Sequence, residues 1–520
     1  MPDIGRKLIA QCHLLLLVGA ICLGGWLRFS RLDLMEFKDD EWQLHHLATR
    51  QAQGHWQKCG LMSSVGVHNP PMAVYLFALP ALVSRDPLFM AGFPALLGTA
   101  AIGLTYLLAR RWVSKWAALC AAVLFAVSPW AVLLSRKIWA QDLLPFFTLC
   151  FLLAAVAWLR EGRLRHALFM AASLAVLNQV HYSSLALWPI AVFLAWRRPS
   201  RKSLHQLGLG AVIFIVAWIP FGLFLGRHGM AELKRQHLGE PATRYLAKVG
   251  TALQWQAQYM GHGGFSYATG PTESDFAQAA HPDRWTEWAF VTILAAGFVA
   301  TVLRARREED LWLLVLWFLL PPLLLSVLVI NPHYMVICFP TAFVMVGLLM
   351  DEIAELVTRR FPRFAERAAL SGLAAALLVL ICAEQIVFLC RFNQYLAARG
   401  GTLGDYGLTY RQKLMVARYM RETAPEGIIQ IRDCSHCVPS ESTYYYLYAR
   451  SGGQAQLVPA RTRRPAPGEN LFILQDPWGA IEHGMHEAPG IEQRVGNVRV
   501  FWSSGAAVAR YRNALKIKPD

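Results

Sequence analysis

The feature that most restricts this chain is a succession of apolar runs, each close to the length that crosses a bilayer. Residues 8–27 hold no formally charged side chain and follow Arg6 and Lys7. A helix of about 20 such residues covers about 30 Å of hydrocarbon. Ten more apolar runs follow, at 87–108, 116–134, 143–159, 167–180, 183–196, 207–225, 288–303, 311–330, 334–350 and 368–390. About eleven spans are therefore expected. Charged residues make up 16% of the 520 and mean hydropathy is +0.34, whereas soluble domains carry about 25% charge. The expected fold class is a polytopic all-α membrane protein with a smaller aqueous part. No small-residue cleavage signature follows residues 8–27, so they are expected to stay as a first helix rather than leave as a signal peptide.

A formal net charge of +16 would suit a nucleic-acid binder if the cations were pooled. They are not. They cluster at Arg110, Arg111 and Lys115; Arg160, Arg163 and Arg165; Arg197, Arg198, Arg201 and Lys202; Arg304, Arg306 and Arg307; and Arg359, Arg360, Arg363 and Arg367. These clusters mark every second junction, as positive-inside sorting requires. The expected partner is the membrane and not nucleic acid, with the N-terminus cytoplasmic. The alternation holds only if residues 72–83 do not span. A dozen residues are too few, and an amphipathic helix along the outer face is expected there. Residues 28–85 then form one large outer loop. The same topology places 135–142, 178–182, 227–285, 331–333 and everything after about 391 outside. The short runs 167–180 and 183–196 can equally form a re-entrant hairpin.

After residue 391 the composition changes. Short strands are expected at 427–432, 471–475 and 498–502 and a helix at 410–422, with Pro and Gly between them. The expected domains are a membrane domain at 1–392 and a small outer α/β domain at 393–520. Cys12, Cys22, Cys120, Cys150, Cys338, Cys382 and Cys390 sit in apolar segments and are read as packing residues. Cys434 and Cys437 stand in the aqueous tail, where a disulfide is favoured over a zinc site because only His436 is near. The sequence has no phosphate-binding Gly-rich loop and no HExxH signature, so ATP-driven transport has no motor within it.

The residues that point to chemistry are Asp39, Asp40 and Glu41, about a dozen positions past the first apolar run. Three adjacent carboxylates raise one pKa unless cations compensate, which suits a general base; a solvated acidic turn is the alternative. His68 and Asn69 precede Pro70-Pro71, and two prolines suit the first turn of a helix. Ser128-Pro129 ends one span, and Ser135, Arg136, Lys137 and Asp142 make the next outer turn. Cations on an otherwise cation-poor side suggest an anionic partner such as a phosphate, with an Arg136 to Asp142 ion pair as the alternative. His181, His333 and Tyr334 lie at the outer ends of later spans, where they serve either the cleft or the turn itself.

Phe37-Lys38-Asp39-Asp40-Glu41, then His68-Asn69-Pro70-Pro71-Met72-Ala73-Val74-Tyr75, then Ser128-Pro129 and Ser135-Arg136 with Asp142, resemble in order the GT-C class of membrane glycosyltransferases. The nearest group is the dolichyl-phosphate-mannose protein mannosyltransferases with the bacterial lipid A aminoarabinose transferase. The resemblance covers roughly residues 10–230 by motif and the later spans by topology. It implies inverting transfer of a sugar from a polyprenyl-phosphate donor lipid to a lipid, glycan or protein acceptor on the outer side of the membrane. Asp40 matches the family's catalytic acid, with Glu41 beside it. Arg136, and after it Lys137, would hold the donor phosphate, and Asp39, His68, Asn69, Asp142, His181, His333 and Tyr334 would contact substrate. No cofactor is required by these residues; a divalent cation stays open. His68-Asn69 departs from the family, since the lipid A transferase has a Lys before Pro-Pro. A transporter or flippase, and a lipid-linked glycan binder without chemistry, are the competing readings.

Overall fold

The computed structural model describes residues 2–62, 67–228, 242–270, 276, 284–327, 331–361, 363–434, 441–454, 456–459, 469–475 and 491–504. They form two compact units. The first comprises the described residues of Met1–Ser30, Leu44–Gly264 and Pro282–Leu389; the second those of Arg31–Gln43, Phe265–His281 and Cys390–Asp520. The stretch 28–85, read above as one outer loop, is thus divided between them. His436 and Cys437 lie outside the described residues.

The first unit is helical. Among the described residues, seven helices are long and apolar enough to cross a membrane: Gln11–Phe29, Pro87–Ala109, Ala140–Glu161, Arg201–Arg227, Thr286–Ala305, Pro332–Arg360 and Ala365–Arg399. The other four expected spans fall on shorter helices, Lys115–Val127, Leu164–Val180, Trp188–Arg197 and Trp312–Leu325. Leu14, Leu15, Val212, Ile215 and Ile219 stay exposed, the apolar outward face that lipid covers. Cys150 and Cys338 are buried as expected of packing thiols, whereas Cys12 and Cys22 are exposed on the first helix.

The span expected at 116–134 is broken at Ser128. Pro129 has no N–H to give the Phe125 carbonyl four residues back, so the helix Lys115–Val127 ends there and a short helix Pro129–Leu133 begins. The Ser128 hydroxyl accepts from the Ala131 N–H and donates to the Tyr259 carbonyl. The carbonyls left over at the break are taken by Arg28, which is fully buried. Its Nη1 donates to Ala126 O at 2.9 Å and to Gly24 O at 3.0 Å, and its Nη2 points to Phe125 O at 3.4 Å. A carbonyl stranded in hydrocarbon costs several kcal/mol, so the arginine replaces what the proline removed. Gly98 makes room: a Cβ there would lie 2.7 Å from the Ser135 Cβ and 3.1 Å from Arg28 Nε.

The helix Met72–Val83 forms over the expected residues but is not amphipathic. Ala73, Val74, Phe77, Ala78 and Ala81 are buried, and the opposite side shows Leu79, Leu82 and Val83. Both faces are apolar, because the 12 residues contain no charged side chain.

The second unit contains a five-stranded sheet in the order β2-β1-β3-β5-β4, with β1 Ile428–Asp433, β2 Gln456–Pro459, β3 Asn470–Gln475, β4 Ile491–Val495 and β5 Val498–Ser504. β1 pairs parallel with β2 and β3, and β5 pairs antiparallel with β3 and β4. The parallel β1–β2 pair needs a crossover, supplied by the helix Glu441–Arg450. That helix and Tyr410–Thr423 cover the sheet, with Val416, Met420, Tyr444 and Tyr448 against Ile429, Ile431, Phe472, Leu474, Val498 and Val500. The three expected strands and the expected helix are present to within two residues at each end. β2, β4 and the crossover helix are additions.

Candidate active site

Three turns of the first unit share one local grammar. An extended residue, Trp139, His181 or Asn331, enters a 3-10 turn, respectively Ala140–Leu143, Tyr182–Leu187 or Pro332–Cys338. Each turn passes directly into a helix with proline in its first turn: Pro145, Pro189 or Pro340. Proline suits that position because the N–H it lacks would have no intrahelical partner.

These turns meet through their aromatic rings. The Lys137 ammonium lies 3.8 Å from the centre of the Trp139 ring. The Trp139 ring meets His333 edge-on at 4.7 Å, His333 meets Tyr334 at 4.6 Å, and Tyr334 meets His181 at 5.3 Å. A cation over an indole face is attracted by the ring quadrupole, more so once desolvated, and Lys137 is buried. Its backbone N–H donates to Asp142 Oδ2 at 3.3 Å, and the Asp142 side chain is 2% exposed. Arg136, also buried, donates from Nη2 to the Ser30 carbonyl at 2.6 Å. Two buried cations and a buried carboxylate therefore sit within one seven-residue turn.

His68 belongs to the same gathering. Its carbonyl accepts from the Tyr182 hydroxyl at 2.8 Å, and its ring stands edge-on to Phe224 at 5.3 Å. Asn69 serves the backbone. Its N–H and Nδ2 both donate to Leu61 O, and its carbonyl accepts from the Gly60 N–H. His181 also has a structural task, since its Nδ1 accepts from the Ser183 N–H. Burial pushes its imidazole down to about 4, so the ring is neutral near pH 7.

The acidic turn belongs to the second unit. It opens the helix Asp39–Ala52, where carboxylates favour the helix N-terminus. The three side chains differ sharply. Glu41 is 1% exposed, and its Oε2 accepts from the Lys38 N–H at 2.9 Å, the backward half of a capping box. Asp39 accepts from Gln43 Nε2 at 2.5 Å. Asp40 is the exposed member. Glu41 thus has a backbone task, and Asp40 is the most exposed carboxylate of the three. Among the described residues, no three His, Cys, Asp or Glu side chains gather as a metal-ligand set.

The helical fold is similar to that of solved GT-C membrane glycosyltransferases. Over residues 68–223 the sequence matches the family model of dolichyl-phosphate-mannose-protein mannosyltransferases. The fold is similar to that of ArnT from Cupriavidus metallidurans in the apo state, with TM-score 0.57 and 13% identity over 95% of this chain and 98% of that one. The same protein bound to undecaprenyl phosphate gives 0.55 and 12% over the same shares. The archaeal oligosaccharyltransferase AglB from Archaeoglobus fulgidus, in complex with an inhibitory peptide and a dolichol-phosphate, gives 0.51 and 12% over 89% of this chain and 69% of that one. No curated protein matches the sequence.

Sequence reasoning missed Arg28 and Trp139, and placed Tyr182 beside His181 at the outer end of a span without giving it a role. A signal was present for each. Arg28 is a charge directly abutting an apolar run; Trp139 and Tyr182 flank polar residues already singled out, and each is followed within seven residues by a proline.

Proposed function

We propose that the chain is a membrane glycosyltransferase that moves a sugar from a polyprenyl-phosphate-linked donor to a glycan, lipid or protein hydroxyl, with inversion at the anomeric carbon. One coincidence carries this reading. The stretch matching the mannosyltransferase model, residues 68–223, contains His68, Arg136, Lys137, Trp139, Asp142 and His181, most of the residues the turns bring together.

In this reading the Asp40 carboxylate takes the acceptor hydroxyl proton as that oxygen bonds to the anomeric carbon. The bond from that carbon to the donor phosphate oxygen breaks, and the phosphate leaves with the electron pair. Exposure of Asp40 supports its role, since a general base has to come within hydrogen-bond reach of an incoming group. Arg136 and Lys137 meet the charge gathering on the departing phosphate, while Asp39, His68, Asn69, Asp142, His333 and Tyr334 shape the surroundings.

The basic clusters support an N-terminus in the cytoplasm, with the acidic turn and the sheet-bearing part on the opposite side of a plasma or inner membrane. The direct test is transfer of labelled sugar from a polyprenyl-phosphate sugar by the purified protein in liposomes, with mass spectrometry of co-purifying lipids to name the carrier. A protein that carries no polyprenyl phosphate and transfers nothing from any such donor overturns the reading. Insensitivity of the transfer to EDTA would assign the phosphate charge to Arg136 and Lys137; loss restored by one divalent cation would assign it to a metal.

A further inference from the structure

We propose that Lys38 is a positioning residue for Asp40, through which residues 400–413 hold the acidic turn in place; this rests on the catalytic reading of Asp40 given above. Residues 34–38 are fastened to one strip of the second unit at every position. The Leu34 carbonyl accepts from the Tyr406 hydroxyl at 2.7 Å, and the Met35 carbonyl from the Tyr410 N–H at 2.9 Å. Glu36 forms an antiparallel bridge with Thr409. Phe37 has no exposed surface and stands edge-on to Tyr410 at 5.4 Å.

Lys38 completes the strip and also begins the helix. Its Nζ donates to the Asp405 carbonyl at 2.5 Å, pairs with Asp405 Oδ2 at 3.4 Å and bonds the Glu36 carboxylate. Its backbone N–H is held by Glu41. One residue is thus gripped at its side chain by the strip and at its backbone by the helix that carries Asp40.

The charges around it support the grip. Burial works against the Lys38 ammonium, yet Glu36, Asp405 and Glu41 outweigh it and raise its pKa well above the ordinary lysine value. Lys413, buried and 5.4 Å over the Tyr444 ring, has its pKa lowered by burial and by repulsion from Lys38, against the attraction of Asp433, Glu41 and Glu36. The strip itself is fixed by further bonds. Asp405 and Tyr406 donate their N–H groups to Tyr267 O and Ala268 O, and Thr402 Oγ1 donates to Ala268 O. Gly404 runs so close that a Cβ would lie 2.3 Å from the Gly270 nitrogen. Three segments far apart in sequence therefore meet behind the acidic turn, and a base held this way keeps one geometry toward its substrate.

The test compares Lys38→Met, Lys38→Arg and Tyr406→Phe with wild type in liposomes, measuring kcat and KM for a polyprenyl-phosphate sugar. Misplacement of a catalytic group by about 1 Å costs on the order of 100-fold. Lys38→Met is expected to lower kcat about 10- to 100-fold with donor KM within about twofold, Lys38→Arg to recover most of it, and Tyr406→Phe to lose about threefold. Unchanged kcat in Lys38→Met, or a KM rise with kcat intact, overturns the proposal. Should Lys38→Met not fold, Tyr406→Phe, which removes only a hydroxyl, decides in the same way. Asp40→Asn separates the two readings. If it retains turnover, the role of Asp40 fails; if it is inactive while the Lys38 and Tyr406 variants match wild type, only the positioning role fails.

Discussion

Glu41 Oε2 accepts from the Lys38 N–H at 2.9 Å, while Asp40, one residue earlier, is exposed. Adjacent carboxylates at one helix start therefore differ, one buried against the backbone and one exposed. The distinction is chemical and measurable. If Asp40 is the general base proposed above, Asp40→Asn should lower kcat at least about 100-fold, in the range a general base supplies. Glu41→Gln keeps an accepting oxygen and should stay within about fivefold of wild type. Glu41→Ala should lose about 1 kcal/mol of stability, as loss of a cap does, read by thermal unfolding in detergent.

Arg28 answers for a proline 101 positions later in the sequence, covering carbonyls at Phe125 and Ala126 beside the break at Pro129. Arg28→Met should destabilise the protein by about 3 kcal/mol, because buried carbonyls lose their donors. Arg28→Lys should not restore wild-type stability. A single ammonium cannot reproduce the planar fork that reaches both carbonyls. Denaturant or thermal unfolding in detergent measures both.

Arg136 and Lys137 make different demands on their surroundings. Arg136→Ala should raise donor KM about tenfold, roughly 1.4 kcal/mol, with acceptor KM little changed, as steady-state kinetics with each substrate varied in turn would show. Trp139→Ala should act in the same direction through Lys137, whose ammonium loses the indole face, and Trp139→Phe should preserve most function because a weaker ring face remains.

His181 predicts a pH dependence of stability. Its folded pKa of about 4 lies below the ordinary 6.5. Between those values the unfolded chain binds a proton that the folded one does not. Stability is therefore whole above about pH 6.5, falls as pH drops, and has lost its full share, about 3 kcal/mol, below about pH 4. His181→Asn keeps an acceptor for the Ser183 N–H but does not titrate. Melting temperatures between pH 7 and pH 4 should fall less steeply for the variant; parallel curves would remove His181 from the acid side.

Much of the architecture was legible because it depends on local pattern. Apolar length gave the long helices, Ser128-Pro129 gave the break, and short apolar runs set between Pro and Gly gave β1, β3 and β5. Gly496-Asn497 is also a recognisable two-residue hairpin turn, and Gly496 has φ 59° with Val495 paired to Val498. The charged run Ile491-Glu492-Gln493-Arg494-Val495 obscured β4, since an edge strand is often polar. The surface helix at 72–83 was misjudged because exposure in a membrane protein does not demand polarity. The fastening of residues 34–38 left no pattern at all. It pairs segments remote in the chain, and its partners look like ordinary loop residues until they are folded together.

The bond between Leu34 and Tyr406 joins residues 372 positions apart. At about 5–20 residues per second of synthesis, this loop waits on the order of 20–70 s for the strip it docks against. During that time Phe37, later enclosed completely, has nothing to rest on. A nascent chain stalled before residue 400 should leave this loop open to protease and to chaperones, and an exchange that swaps only the tail for a homologue's would graft an incomplete body.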